Sequence, residues 1–197
     1  MGLFHTMKLV FASNNSHKID EIRAMLPASI ELVGLQDIGC DVDIPETAAT
    51  IEGNAQLKAD YVTQHYGLPC FADDTGLEVE ALNGAPGVHS ARYAGEQKNA
   101  MDNMNKLLSE LDNISSRKAQ FKTVIALNLN GETHQFTGIV SGEIIREKRG
   151  NQGFGYDPVF VPTGQSQTFA EMDAAEKAAL SHRGKAVQQL IAFLSDK

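Results

Sequence analysis

Leu68-Pro69-Cys70-Phe71-Ala72-Asp73-Asp74-Thr75-Gly76 is an apolar run halted by two adjacent carboxylates and a glycine. It reads as a short buried strand that ends in two acids and then turns, with negative charge at the lip of a sheet. Desolvating two like charges side by side is costly unless a cation or hydrogen-bond donors offset it. Carboxylate oxygens at a strand end suit a hard divalent ion such as Mg²⁺. The plain alternative is a pair of solvated acids opening a turn.

Working upstream, Thr50 to Tyr66 carries a helical stripe through Ala55, Ala59, Val62 and Tyr66 that feeds this strand. Leu9-Val10-Phe11-Ala12 reads as a first buried strand and Ser13 to Ser16 as a polar loop. A helix follows with Ile19, Ile22 and Leu26 on one face, then a strand over Ile30 to Leu35. Strand–helix–strand alternation predicts an α/β core. Downstream, Asn83 to Gly87 is turn chemistry and Ala100 to Leu111 a helix. Ala119, Phe121, Thr123, Ile125, Leu127 and Leu129 then alternate along one long strand. Asn130-Gly131 is a strong hairpin signal, and Glu132 to Val140 returns antiparallel. The last helix places Val187, Leu190, Ile191 and Leu194 on one face. The expected fold is therefore α/β, with a mixed central sheet built around a long antiparallel hairpin, in one domain over residues 7–197.

The 197 residues suffice for one sizeable core, with 42% hydrophobic and 21% charged residues. A net charge of −8 argues against a nucleic-acid partner, because phosphate backbones need clustered Lys and Arg. Cys40 and Cys70 form no Cys-x-x-Cys pattern, so neither a zinc knuckle nor a disulfide framework is indicated, and a reducing cytoplasm is the natural compartment. No stretch approaches the ~20 apolar residues of a membrane span, and no signal peptide is visible. Gly2 and Thr6 match a short lipidation pattern common by chance. Met7-Lys8 reads as the domain start, with residues 1–6 an extension.

Three other stretches carry chemistry. Ser13-Asn14-Asn15-Ser16-His17-Lys18 joins a strand to a helix start, where backbone N–H groups and the positive dipole end attract phosphate oxygens and Lys18 adds a full charge. Its Ser and Asn residues equally suit plain helix capping. Phe154-Gly155-Tyr156-Asp157 follows a Gly-rich turn and offers a flat aromatic face and an acceptor; an ordinary loop with a core Phe is the competing reading. Ser181-His182-Arg183 opens the last helix and, with Lys177, offers hydrogen-bond donors; a solvated basic helix start is the competing reading. Glu46 gains interest only if the fold brings it beside Asp74. No Walker loop, G-x-G-x-x-G or nucleophile elbow is present.

In order, Ser13-x-Asn15-x-x-Lys18, Ala72-Asp73-Asp74-Thr75-Gly76, Gly87-x-x-Ser90-Ala91-Arg92-Tyr93, Phe154-Gly155-Tyr156-Asp157-Pro158 and Ser181-His182-Arg183-Gly184 resemble the motifs of the inosine triphosphate pyrophosphatase family. The resemblance implies two lobes around a deep active-site cleft, a Mg²⁺ cofactor and a homodimer. It implies hydrolysis of noncanonical purine nucleoside triphosphates (ITP, dITP, XTP) to the monophosphate and pyrophosphate. By the same resemblance Asp74 is general base and metal ligand, Glu46 the second metal-site carboxylate, and Asp73 a support for the metal. Ser13 to Lys18 grip the phosphates, Thr75 lies against the substrate, Phe154 to Asp157 form the nucleoside pocket, and Lys177, His182 and Arg183 read the base. Thr75 stands where the family more often has Ser, which keeps the hydroxyl. Two rival readings are a septum-formation-like pyrophosphatase acting on pyrimidine or modified nucleotides, and a nucleotide-binding sensor without turnover. The intact acids weigh against the sensor, and the Ser181-His182-Arg183 end against the pyrimidine enzyme.

Overall fold

A computed structural model of the chain describes residues 6–196; the sequence reading of residues 1–5, the lipidation pattern included, lies outside the described residues. Seven strands form one mixed sheet: β1 (Met7–Phe11), β2 (Ile30–Val33), β3 (Cys70–Val79), β4 (Pro86–Gly87), β5 (Lys118–Leu129), β6 (Glu132–Ile144) and β7 (Phe160–Pro162). The order is β2-β1-β3-β5-β6-β7, with β4 paired to β3. β1 runs parallel to β2 and to β3, whereas β4 on β3 and β7 on β6 are antiparallel. The helices are α1 (Ser16–Met25), α2 (Ile51–Tyr66), α3 (Ala100–Glu110), α4 (Ala174–Leu180) and α5 (His182–Ser195). The mixed α/β class expected from the hydropathy pattern is the one observed.

By contacts the chain divides into two compact units. One holds residues 6–74, Val124–Thr137 and residues 186–196; the other holds Thr75–Thr123 and Gly138–Lys185. The first is built on Leu9, Phe11, Ile22, Phe71, Ile125, Leu127, Val187 and Leu190, with Phe11 and Phe71 stacked at 4.7 Å. The second gathers Leu77, Val79, Leu107, Phe121, Tyr156, Phe160 and Phe169. The hairpin turn is the expected one: Asn130 and Gly131 take φ of 53° and 80°, the double positive φ that a two-residue turn matched to strand twist requires.

One expectation is corrected. β3 does not stop at the two acids and turn; it continues through Asp73, Asp74, Thr75 and Gly76 to Val79. Beyond the acids Leu77 and Val79 keep the two-residue alternation and are fully buried, and Leu77 and Glu78 pair with Gly87 and Pro86 of β4. The drop in hydropathy at Asp73-Asp74 marks a buried polar site inside a strand. Between Asp74 and Thr75 the chain passes from the first unit to the second.

Candidate active site

Within the first unit, the loop after β1 spends its side chains on its own backbone. Ser13 Oγ accepts the Asn15 N–H at 3.1 Å, and Asn15 Oδ1 accepts the Lys18 N–H at 3.2 Å as the N-cap of α1. Asn14, Ser16 and His17 stand exposed at the helix start. Lys18 turns inward: its Nζ donates to Asp73 Oδ1 at 3.1 Å, against a carboxylate that is fully buried.

A second cation meets the acids from α2. Lys58 Nζ donates to Glu46 Oε1 at 2.6 Å and to the Asp73 carbonyl at 2.7 Å, and lies 3.9 Å from Asp74 Oδ1. The buried face of α2 comprises Ile51, Asn54, Ala55, Lys58, Ala59 and Val62, so the lysine occupies a core position of the helix. Burial acts to depress the Lys58 pKa, but the charges of Glu46, Asp73 and Asp74 outweigh it and hold it above the usual lysine value. The lysine is thus a fixed positive charge that gathers Glu46 and Asp74.

Asp74 is less well served. Its Oδ2 is buried and has no hydrogen-bond partner among the described residues. Burial pushes its pKa up to about 6; Lys58 and Lys18 pull the other way, and Glu46 and Asp73 add to the rise. A buried carboxylate oxygen without a donor is costly to keep ionised, and a cation brought to it offsets that cost. Among the described residues no three His, Cys, Asp or Glu side chains are gathered to hold a metal alone. The unpartnered Asp74 Oδ2 and the Glu46 carboxylate suit Mg²⁺, which takes one or two carboxylates and fills its remaining positions with water and substrate phosphate. Asp74 and Glu46 are the residues that would hold it.

The second unit holds a separate set. Lys177 Nζ, on α4, donates to Asp157 Oδ2 at 2.7 Å, and the same oxygen accepts the Phe154 backbone N–H at 2.9 Å. Gly153, at φ +69°, makes this possible, since a Cβ there would stand 2.0 Å from Asp157 Oδ2. Lys177 Nζ lies 4.7 Å from the centroid of the Phe154 ring and Arg183 Cζ 5.6 Å from it, so two cations face one half-buried aromatic side chain. Lys177 is 6% and Arg183 1% exposed. Ser181 Oγ accepts the Gly184 N–H at 3.0 Å and so caps the start of α5. At that start the His182 ring stacks on Phe121 with centroids 4.6 Å apart. Arg183 Nη2 donates to Thr75 Oγ1 at 3.1 Å, and Thr75 Oγ1 lies 2.6 Å from Thr123 Oγ1.

Residues 9–193 match the family model described as Ham1 family. The chain belongs to the Ham1 family. Its relatives include a protein of Flavobacterium psychrophilum named dITP/XTP pyrophosphatase, 65% identical over 190 residues that cover 96% of this chain and all of that one. A Porphyromonas gingivalis protein of the same name is 58% identical over 95% of this chain and 97% of its own. The fold matches the Ham1 protein of Staphylococcus aureus at a TM-score of 0.88 and 43% identity, covering 96% of this chain and 98% of that one. It matches a Ham1 protein of Coxiella burnetii at 0.90 and 41%, covering 97% and 100%.

In this Ham1 chain the residues singled out by sequence fall into two groups. Lys18, Glu46, Asp73 and Asp74 converge in the first unit, and Thr75, Phe154, Asp157, Lys177 and Arg183 in the second. Gly155 takes φ +62° beside Phe154. Tyr156 turns into the core of the second unit, its hydroxyl donating to the Ser90 carbonyl at 2.7 Å. Lys58 was missed by the sequence reading. Its signal was present: a lysine four residues before Val62 and next to Ala59 sits on the helical stripe of a helix already read as half-buried.

Proposed function

We propose that the chain hydrolyses noncanonical purine nucleoside triphosphates (ITP, dITP and XTP) to the monophosphate and pyrophosphate, clearing them from the nucleotide pool. Full-length similarity to proteins named dITP/XTP pyrophosphatase supports this reading. The observation that carries it is the pairing of Lys177 and Arg183 against Phe154. Both groups donate hydrogen bonds and neither accepts, beside a flat ring on which a base can stack. A 6-oxo purine presents an acceptor to such donors, whereas the 6-amino group of adenine presents hydrogens. A site built for one hydrogen-bond sense rejects the other by as much as ~10⁴-fold.

The phosphate end belongs to the residues of the first unit. Lys18 and the start of α1 bind phosphate oxygens through charge and backbone N–H groups. The attacking water oxygen forms a bond to the α-phosphorus as the bond from that phosphorus to the bridging oxygen breaks. The electron pair leaves with pyrophosphate, and the water proton passes to Asp74. A pKa near 6 leaves Asp74 mostly ionised at neutral pH and still basic enough to take that proton. Lys58 keeps Glu46 and Asp74 at one place and offsets their repulsion. Mg²⁺ held by Asp74 and Glu46 would neutralise charge on the departing pyrophosphate.

The assembly we propose is a homodimer, and the compartment the cytoplasm, in keeping with the unpaired, buried Cys40 and Cys70. Among the described residues no helix is long and apolar enough to cross a membrane. Pyrophosphate release with magnesium across ITP, XTP, dITP, ATP, GTP and dUTP tests the function. The expected order places the first three far above ATP and dUTP; equal rates with ATP, or a preference for dUTP, would overturn the assignment.

A further inference from the structure

Two residues of β5, Phe121 and Thr123, stand one strand repeat apart and therefore on the same face of the sheet. Each meets the start of α5 or its immediate partner. Phe121 stacks on His182, and Thr123 Oγ1 reaches Thr75 Oγ1, which receives the hydrogen bond from Arg183. Thr123 is fully buried and Arg183 is 1% exposed, with the half-buried Thr75 between them in the relay. A threonine hydroxyl has one hydrogen and two lone pairs. With Arg183 donating to it, Thr75 Oγ1 keeps one hydrogen and one lone pair, and one of these meets Thr123 Oγ1. Whichever hydroxyl supplies the hydrogen, the bond favours the Thr75 rotamer that keeps Oγ1 beside the guanidinium.

We infer that Thr123 is a positioning residue for base recognition, its hydroxyl fixing the Thr75 hydroxyl on which the Arg183 guanidinium rests. The inference rests on the reading of Arg183 as a donor to a 6-oxo purine. Valine at position 123 keeps the shape and removes this hydrogen bond, so Thr75 Oγ1 is held by one contact fewer and offers Arg183 a less constrained partner. The geometry of the Arg183 donors then loosens, and the penalty falls on the base that needs them. Asp74 lies in the other unit and is not in this relay, so the chemical step is spared.

The test measures kcat and KM for ITP and ATP in the wild type, Thr123→Val, Thr123→Ser, Thr75→Val and the Thr75→Val/Thr123→Val double variant. A wild type that does not prefer ITP refutes the functional reading itself. Given that preference, Thr123→Val is expected to lower the ITP-to-ATP ratio of kcat/KM by about 5- to 10-fold, the weight of one hydrogen bond. The loss should lie in KM for ITP, with kcat within about two-fold, and Thr123→Ser should restore the ratio. If Thr123 acts through Thr75, the double variant matches Thr75→Val alone. An unchanged ratio in Thr123→Val, an equal loss for ITP and ATP, or strictly additive effects in the double variant would each overturn the inference.

Discussion

The Lys58 ammonium donates to Glu46 Oε1 at 2.6 Å, and it does so from the buried face of α2. A lysine placed there organises acids that would otherwise repel one another. Removing it as Lys58→Met leaves Glu46 and Asp74 facing each other with less compensation. Breaking one side of such a pair is expected to lower stability by about 2 kcal/mol, less than for a fully enclosed pair because the Glu46 side chain remains 28% exposed. Urea unfolding at neutral pH measures this, and a change below about 0.5 kcal/mol would deny the lysine that role.

Asp74 sets a pH dependence of unusual sign for a carboxylate. Its folded pKa, about 6, lies above the unfolded value of 3.8. The folded protein therefore binds more protons between those values, and stability falls as pH rises from about 4 to 6, then levels off. The full drop is about 3 kcal/mol at most for the metal-free protein. Asp74→Asn lacks this term. Its thermal midpoint should match the wild type near pH 4 and exceed it at pH 7, while turnover falls by about 10²- to 10⁴-fold. Parallel stability curves for the two proteins would refute the raised pKa.

Metal should act on the same oxygen. Mg²⁺ at about a hundred times its dissociation constant stabilises a protein by about 2.7 kcal/mol when it binds only the folded state. The wild type is therefore expected to melt higher with magnesium, and Asp74→Asn to gain little. Chelation should stop pyrophosphate release in the wild type. Metal-independent turnover, or an equal thermal gain in the variant, would remove Asp74 from the metal site.

Base discrimination should fall with Arg183. Arg183→Ala removes a donor, a cation facing Phe154 and the partner of Thr75 together. The ITP-to-ATP ratio of kcat/KM should drop by about 10²-fold, the scale set by losing a charged hydrogen bond. Because the side chain is almost wholly buried, stability should also fall by about 3 kcal/mol. A retained ratio in a folded variant would place base reading elsewhere.

Much of this molecule is legible in its sequence. The Asn130-Gly131 turn, the α2 stripe and the final amphipathic helix follow from local rules of period and turn chemistry, and each is present. The end of β3 was misread because hydropathy cannot distinguish a strand leaving the core from a strand carrying buried charge. Lys58 was passed over for the same reason: composition assigns lysine to solvent, and only its neighbours make it a core residue.

The linear pattern determined the α/β class, the hairpin and the family, because period, turn residues and motif order are properties of the chain itself. Tertiary structure alone decided which charges meet. Glu46 finds Lys58 across twelve positions, Lys18 finds Asp73 across 55, and Arg183 finds Thr75 across 108. No local rule encodes those separations; they exist because packed helices and a sheet bring distant side chains within a few ångströms, where burial makes each pairing count.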